Sequence, residues 1–336
     1  MSSQEYTTVD QPVTKLNTGA SIPLVGLGTW KAQKPGQVKN AVEVALRCGY
    51  RHIDCAWTYG NQPEVGAAFD QIFKTEGKVK RSDVFVTTKL WNHHHKDVRG
   101  DCLDSLKQLR LEYLDLYLMH WPAQGPGYEG KTNVPSIKET WQEMEKLVDE
   151  GKVKAIGISN FSVKKTRELL TYAKHKPAAN QVELHPYFRN SDISKFCQSE
   201  NILITAYSPL GTPDSPEAGF KENVEAKKPM DDPLINKIAK DLGKTPAQIC
   251  VRWNLQCGHA VIPKSVTDSR IVENLQIVKF EIPKAHMDEL NAISHQMRML
   301  DGAFVCGPNT PYPTIDDLWD GEVPLLNKER LAKNEQ

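Results

Sequence analysis

The sequence predicts an α/β protein whose strands close into a (β/α)8 TIM barrel, with a β-hairpin before it and long loops over its C-terminal mouth. Three observations carry this expectation. Short apolar segments alternate strictly with amphipathic helical ones, which implies a parallel sheet, and eight such strand–helix units can be placed. The 336 residues suit one large α/β barrel as well as two average domains. An open doubly wound sheet, the competing architecture, would carry Gly-x-Gly-x-x-Gly after its first strand, and Gly26-Leu27-Gly28-Thr29-Trp30-Lys31 lacks the third glycine.

Taken in order, Val13 to Leu16 and Ile22 to Val25 flank Asn17-Thr18-Gly19, a hairpin signal. The eight expected strands are Val25 to Gly28, Arg51 to Asp54, Val84 to Lys89, Leu114 to His120, Ala155 to Ser159, Asn180 to Glu183, Leu203 to Tyr207 and Ala260 to Pro263. Helices are expected over Gln37 to Cys48, Glu64 to Thr75, Val98 to Leu109, Ser136 to Glu150, Lys164 to Tyr172, Ile193 to Ser199, Thr245 to Gln256 and Ser269 to Gln276. Thr245-Pro246 reads as an N-cap with proline at the first helical position, and Gly151 as a stop after Glu150. Residues 1–12 are expected to be an N-terminal extension, 13–324 a single domain, and 325–336 a solvated tail. Three connections are long: Trp121 to Pro135, Leu210 to Pro233, and the segment after about Met297. Long ordered loops in compact domains are usually functional, and all three could overhang one mouth.

Composition narrows the function classes. Lys plus Arg equals Asp plus Glu at 42 each, so no global field attracts nucleic acid or an anionic membrane. The seven cysteines contain no Cys-x-x-Cys pair, and their odd number argues for a reducing compartment. No apolar run approaches the roughly 18 residues of a membrane span. The polar N-terminus has no positive start followed by an apolar run, so no secretory signal is expected. A cytoplasmic protein, monomeric and without nucleic-acid or membrane partners, is the expectation.

The candidate chemistry lies at the predicted strand ends. Asp54 falls where its strand stops, with Tyr59 five residues on in the following loop. Lys89 ends the third strand and His120 the fourth. In a barrel these four would share one rim. A lysine paired with Asp54 stays protonated, and its charge beside Tyr59 would lower a phenol pKa from about 10, as an acid working near neutral pH needs. Taken singly, each has a structural alternative: a loop cap, a packed ring, a snorkelling lysine, a satisfied histidine. His93-His94-His95 is a tempting metal cluster, but adjacent residues do not easily converge on one ion, and a solvated loop with no metal is expected.

The sequence resembles the aldo-keto reductases, from about Val13 to Tyr312. The matching motifs are Gly49-Tyr-Arg-His-Ile-Asp54 with Tyr59, Glu64 and Gly66; Thr88-Lys89-Leu-Trp; Leu118-Met-His120-Trp-Pro; Gly157-Ile-Ser-Asn160-Phe; Asn180-Gln-Val-Glu-Leu-His-Pro186; Ala206-Tyr-Ser-Pro-Leu-Gly211; and Ile262-Pro-Lys-Ser265. It looks most like the aldose and aldehyde reductase branch. The resemblance implies a (β/α)8 barrel that binds NADPH extended across its mouth without a Rossmann motif. It implies hydride transfer to a small-molecule carbonyl, with Tyr59 as proton donor, His120 orienting the carbonyl, and Lys89, held by Asp54, tuning Tyr59. Steroid double-bond reductases of this family carry Glu where this chain has His120, so carbonyl reduction is expected.

The resemblance also implies the cofactor residues. Thr29, Trp30 and Asp54 lie on its path; Ser159, Asn160 and Gln181 match the carboxamide clamp; Tyr207 matches the ring stacked on nicotinamide. Ser208, Leu210 and Thr212 match the pyrophosphate loop, where the family often has Ser in place of Thr212. Lys264, Ser265, Val266, Thr267, Arg270, Glu273 and Asn274 match the site for the adenosine 2′-phosphate and adenine. Trp30, Trp91 and Trp121 are expected as apolar walls of the substrate site, with core packing as their structural alternative. Two other functions share the resemblance: a polyol or glycerol dehydrogenase running in the oxidative direction, and a non-catalytic structural or accessory barrel.

Overall fold

The computed structural model describes residues 8–32, 34–125, 130–211, 228–324 and 327–328. A two-stranded antiparallel hairpin, β1 (Val13–Lys15) and β2 (Ser21–Pro23), comes first. Eight parallel strands follow: β3 (Leu27–Gly28), β4 (His52–Asp54), β5 (Phe85–Leu90), β6 (Leu116–Met119), β7 (Ile156–Ser159), β8 (Ala179–Glu183), β9 (Leu203–Tyr207) and β10 (Ala260–Val261). Each pairs with its sequence neighbour, as expected for consecutive right-handed crossovers.

The two ends of the sheet meet. Gly26 N–H donates to Val261 O at 2.9 Å, Val261 N–H to Leu24 O at 2.8 Å, and Gly28 N–H to Pro263 O at 3.1 Å. Closure pairs the two edge strands of the eight-stranded sheet, β3 and β10, with each other's flanks. β10 ends before the expected Pro263, which has no N–H to extend the ladder. A Cβ at Gly28 would come within 2.8 Å of the Ile262 carbonyl oxygen, so glycine permits the seam to close.

The helices are α1 (Gln37–Cys48), α2 (Gln62–Phe69), α3 (Val98–Leu109), α4 (Ile137–Asp149), α5 (Val163–Leu170), α6 (Ser191–Ser199), α7 (Pro233–Leu242), α8 (Pro246–Gln256), α9 (Asp268–Leu275), α10 (Lys284–Asn291) and α11 (Ile315–Leu318). The predicted signals act locally. Thr245 and Gln248 form a capping box with Pro246 at the first helical position, and Gly151 adopts φ +70° after α4. An N-cap of this kind contributes about 1 kcal/mol. Ser136 and Glu139 make a second capping box, starting α4 one residue later than expected. α7, α10 and α11 are additions to the predicted set. Residues 212–227 of the long Leu210-to-Pro233 connection lie outside the described residues; its last residue before α7, Asp232, is the N-cap, and its carboxylate accepts the Leu234 and Ile235 amides of the first turn.

The main core lies between barrel and helices, where Ile53, Val86, Tyr117, Ile158 and Val182 are 0–1 % exposed. A second cluster plugs the N-terminal end of the barrel: hairpin residues Leu16 and Ile22 pack with Phe85, Leu116 and Ala179, which begin β5, β6 and β8. A third covers the mouth and contains Trp121, Val305, Tyr312, Leu318 and Trp319. Among the described residues no helix is long and apolar enough to cross a membrane.

Both termini are tied to the barrel where they are described, and the C-terminal one departs from expectation at Asn327. In the extension, Val9 is buried and Gln11 Nε2 donates to Gly49 O at 3.1 Å. In the expected solvated tail, Asn327 is buried and exchanges two 2.8 Å hydrogen bonds with the backbone of Arg298. A side-chain amide pairs equally well with a backbone N–H and C=O, so a polar tail residue can be a tether.

Candidate active site

Asp54, Lys89, Tyr59 and His120 converge at the C-terminal mouth. Lys89 is fully buried at the end of β5, and its Nζ lies 2.7 Å from Asp54 Oδ2, 2.8 Å from Cys55 O and 3.3 Å from Tyr59 Oη. All three donor positions of the ammonium therefore have acceptors. Asp54 is fixed on its other oxygen by Gln181 Nε2 at 2.8 Å, an anchor from the opposite side of the barrel. Tyr59 sits on a single helical turn, Trp57–Tyr59, closed by Gly60 at φ +68°. His120 follows β6, its ring centroid 6.0 Å from that of Tyr59 and 5.2 Å from that of Trp91.

The electrostatics differ from the sequence expectation in one respect. Burial, with the Asp54 carboxylate second, pushes the Tyr59 phenol well above its ordinary value. The expected lowering by Lys89 does not prevail, because a phenolate in a dry pocket loses its hydration and faces a carboxylate as well as an ammonium. Tyr59 keeps part of its surface open to the mouth, where water moderates the effect. The phenol is thus a protonated donor at neutral pH. Burial, aided by the Lys89 charge, holds the His120 imidazole well below its usual value, so its ring is neutral. Its Nδ1 is buried without a hydrogen-bond partner among the described residues.

The expected carboxamide clamp is contiguous with this group. Asn160, at φ +63°, donates from Nδ2 to His120 O at 2.9 Å and to Ser159 Oγ at 3.2 Å, and its Oδ1 accepts Tyr207 Oη–H at 2.8 Å. Ser159 Oγ–H donates to Gln181 O at 2.8 Å. The Tyr207 ring is thereby held half-buried at the end of β9. Thr29 Oγ1 donates to Asp54 O at 2.9 Å, joining β3 to the same network. Trp30 holds the Lys31 ammonium 4.8 Å from its ring centroid.

The region expected for the 2′-phosphate and adenine follows β10. Lys264 and Arg270 are exposed, and neither forms a salt bridge among the described residues. Partial burial lowers the Lys264 ammonium. Ser265 Oγ accepts the Thr267 amide at 3.1 Å, shaping the turn into α9 and leaving Val266 half-buried. Glu273 accepts Thr245 Oγ1–H at 2.6 Å, and Asn274 is buried. Ser208 has φ +47° and Leu210 packs on the main core; Thr212 lies outside the described residues.

The apolar side of the mouth has a different composition from the three tryptophans expected. Trp91 stacks parallel to Phe304 with centroids 6.3 Å apart, and Trp121 meets Phe304 edge-on at 5.1 Å. Trp121 is 5 % exposed, so it backs the wall from inside the third cluster rather than lining it. Phe304 escaped the sequence reading because no local motif ties residue 304 to strand ends some 180 to 210 positions earlier. Its segment is clamped by Glu183, whose carboxylate accepts the Met299 and Leu300 amides at 2.7 Å each and His185 Nε2 at 2.9 Å. Burial opposes that charge, but the His185 hydrogen bond and neighbouring Arg298 outweigh it and hold the carboxyl below its usual range. Arg298 is buried between Trp319 and Phe188, 3.4 and 4.4 Å from their centroids. Two of the three long connections meet: Gly130 N–H donates to Asn309 O at 2.7 Å, and Tyr312 Oη–H to Pro122 O at 2.6 Å; residues 212–227 of the third lie outside the described residues.

The histidine triplet is not a solvated loop throughout. His95 is buried against Thr140, and His94 Nδ1 pairs with Asp101 at 2.5 Å while its ring meets Trp57 edge-on. Only His93 is exposed, as a helical turn sends neighbouring side chains to different faces.

The model of the Aldo/keto reductase family matches residues 24–295. Among curated relatives, aldo-keto reductase family 1 member A1-A of Danio rerio is 47 % identical over 297 residues, covering 85 % of this chain and 90 % of that one. Aldo-keto reductase family 4 member C11 of Arabidopsis thaliana is 44 % identical over 317 residues, covering 92 % and 98 %. The solved structure of the aldose reductase from Schistosoma japonicum superposes with a TM-score of 0.78 at 39 % identity, covering 90 % of this chain and 98 % of that one.

Proposed function

The chain belongs to the aldo/keto reductase family, and from that premise we propose that it reduces aldehyde or related carbonyls to alcohols with NADPH. One observation carries the reading: the chain of hydrogen bonds Gln181–Asp54–Lys89–Tyr59, with neutral His120 beside it. The residues present fit a nicotinamide dinucleotide. Side-chain amides and a hydroxyl cluster beside the half-buried Tyr207 ring, and two cations without acidic partners among the described residues stand after β10.

When bound, the nicotinamide supplies the hydride. The protein must supply a proton and stabilise the oxyanion as it forms. Tyr59 Oη–H donates that proton, and Lys89 stabilises the phenolate left behind. Asp54 and Gln181 hold Lys89 in place, so no reorganisation is needed at the moment of reaction. The neutral His120 ring donates a hydrogen bond to the carbonyl oxygen and orients it. Trp91 and Phe304 exclude water from one side. Lys264 and Arg270 hold the 2′-phosphate, with Arg270 able to form two parallel bonds to it. The same reading makes the protein a cytoplasmic monomer acting on a small-molecule carbonyl.

Tyr59→Phe tests the reading. It should keep NADPH binding, measured by fluorescence, and lose about 10²–10⁴ in aldehyde-dependent NADPH oxidation, the contribution of one positioned acid. Turnover within threefold of the parent enzyme would remove Tyr59 from the role.

A further inference from the structure

A cavity of about 570 Å³ opens at the other end of the barrel. Its walls include Ile202, Leu203 and Ile204 at the start of β9, and Gly258 and His259 just before β10. Four residue steps of β9, about 13 Å at roughly 3.3 Å each, separate this face from Tyr207 at the mouth. The cavity is thus distinct from the catalytic constellation. Its volume falls in the range of about 300–1,000 Å³ typical of small-molecule sites.

The lining has a definite chemistry. Lys15 from the hairpin, Arg189 before α6 and Lys195 on α6 contribute three cations, and among the described residues no carboxylate lines the cavity. None of the three forms a salt bridge among the described residues. Arg189 is half-buried, held by Nη1 donating to Ile293 O at 2.6 Å, and burial lowers its guanidinium. Opposite the cations lies an apolar wall of Leu16, Ile204 and Trp253, all buried. Trp253 is fixed there by its indole N–H, which donates to Asn291 Oδ1 at 2.9 Å. Two buried polar atoms on this lining have no hydrogen-bond partner among the described residues: Ser194 Oγ, and Nδ1 of His259, a residue only 8 % exposed.

Uncompensated cations around a half-apolar hollow favour an anionic group carried on an apolar body. We propose that this cavity is a second ligand site, which takes a small organic oxyanion, a carboxylate or phosphate monoester. The anion sits among Lys15, Arg189 and Lys195, and its carbon body rests against Leu16 and Trp253. The sealing hairpin contributes to the site: exposed Lys15 ends β1 and buried Leu16 follows it, adding one charge and one apolar side chain to the lining.

Isothermal titration of phenyl phosphate and benzoate into the enzyme saturated with NADP⁺ tests this. Saturation fills the dinucleotide phosphate sites in advance. At least one of the two anions should bind with a Kd of about a millimolar or tighter, and neutral benzamide, which is neither substrate nor product of the proposed reaction, about tenfold or more weaker, the effect of one charge-assisted hydrogen bond. Lys15→Met/Lys195→Met should weaken the anion about tenfold and leave aldehyde turnover unchanged. Both lysines are exposed, so the double variant should fold. Gln198→Glu, which places a carboxylate on the lining, should weaken binding independently. The proposal is overturned if neither anion binds, if benzamide binds equally well, or if binding survives both variants.

Discussion

Acid should unfold this protein through its buried histidines before its carboxylates titrate. His52, His95 and His259 are 1, 3 and 8 % exposed, and burial brings each down to about 4. His120 moves in the same direction for the same reason. An unfolded histidine titrates near 6.5. Below that pH the unfolded chain binds protons that the folded rings refuse, so stability is complete above about pH 6.5 and falls as pH falls. A ring that moves from 6.5 to about 4 loses about 2 kcal/mol by pH 5, and three lose about 6 kcal/mol together. Asp101 and Glu322 oppose this, because burial raises their carboxyls and lets the folded state take up protons. The remainder is still a large share of a typical stability of about 5–15 kcal/mol. Urea denaturation at closely spaced pH values gives the proton difference directly. Between pH 6.5 and 5 the slope should correspond to about two protons. His52 is the informative single site. Its Nδ1 lies 3.2 Å from Pro23 O and its Nε2 3.1 Å from Thr87 Oγ1, bracing β4 two residues before Asp54. His52→Gln should cost stability at pH 7 and reduce the slope by about one proton. A parent slope below one proton, or an unchanged slope in His52→Gln, would refute the reasoning.

Three other perturbations follow from the geometry. Asp54→Asn leaves the fully buried Lys89 without its anion, so it should lower unfolding stability by about 3–5 kcal/mol in calorimetry or denaturant and depress turnover as well. Arg270→Met should raise KM for NADPH about tenfold or more and leave KM for NADH nearly unchanged, because only the phosphorylated cofactor offers a group to the guanidinium; equal losses for both would show that Arg270 does not read the phosphate. Gly66→Ala should destabilise by about 1–3 kcal/mol in denaturant, since the new methyl would lie 2.3 Å from the Gln108 carbonyl oxygen and force α2 away from α3.

The sequence by itself determined the architecture and the principal candidates for chemistry. Eight apolar runs separated by amphipathic helices admit few closed arrangements, and the cap signals at Thr245 and Gly151 act over three or four residues, where neighbours in sequence are neighbours in space. Asp54, Lys89 and His120 were legible because strand ends in a closed parallel barrel share one rim whatever the helices do. Only the tertiary structure decided how those groups are wired. Gln181 reaches Asp54 across 127 positions, and Phe304 meets Trp91 across 213. The Tyr59 phenol rises rather than falls because its environment depends on the dryness of the pocket as well as on the nearest charge. Asn327, read as a solvated tail, is buried because Arg298 offers its backbone there, and Trp121 is backing rather than wall because the C-terminal segment folds over it. Each of these depends on chain segments that meet only once the barrel has closed, and no local pattern of residues encodes that meeting.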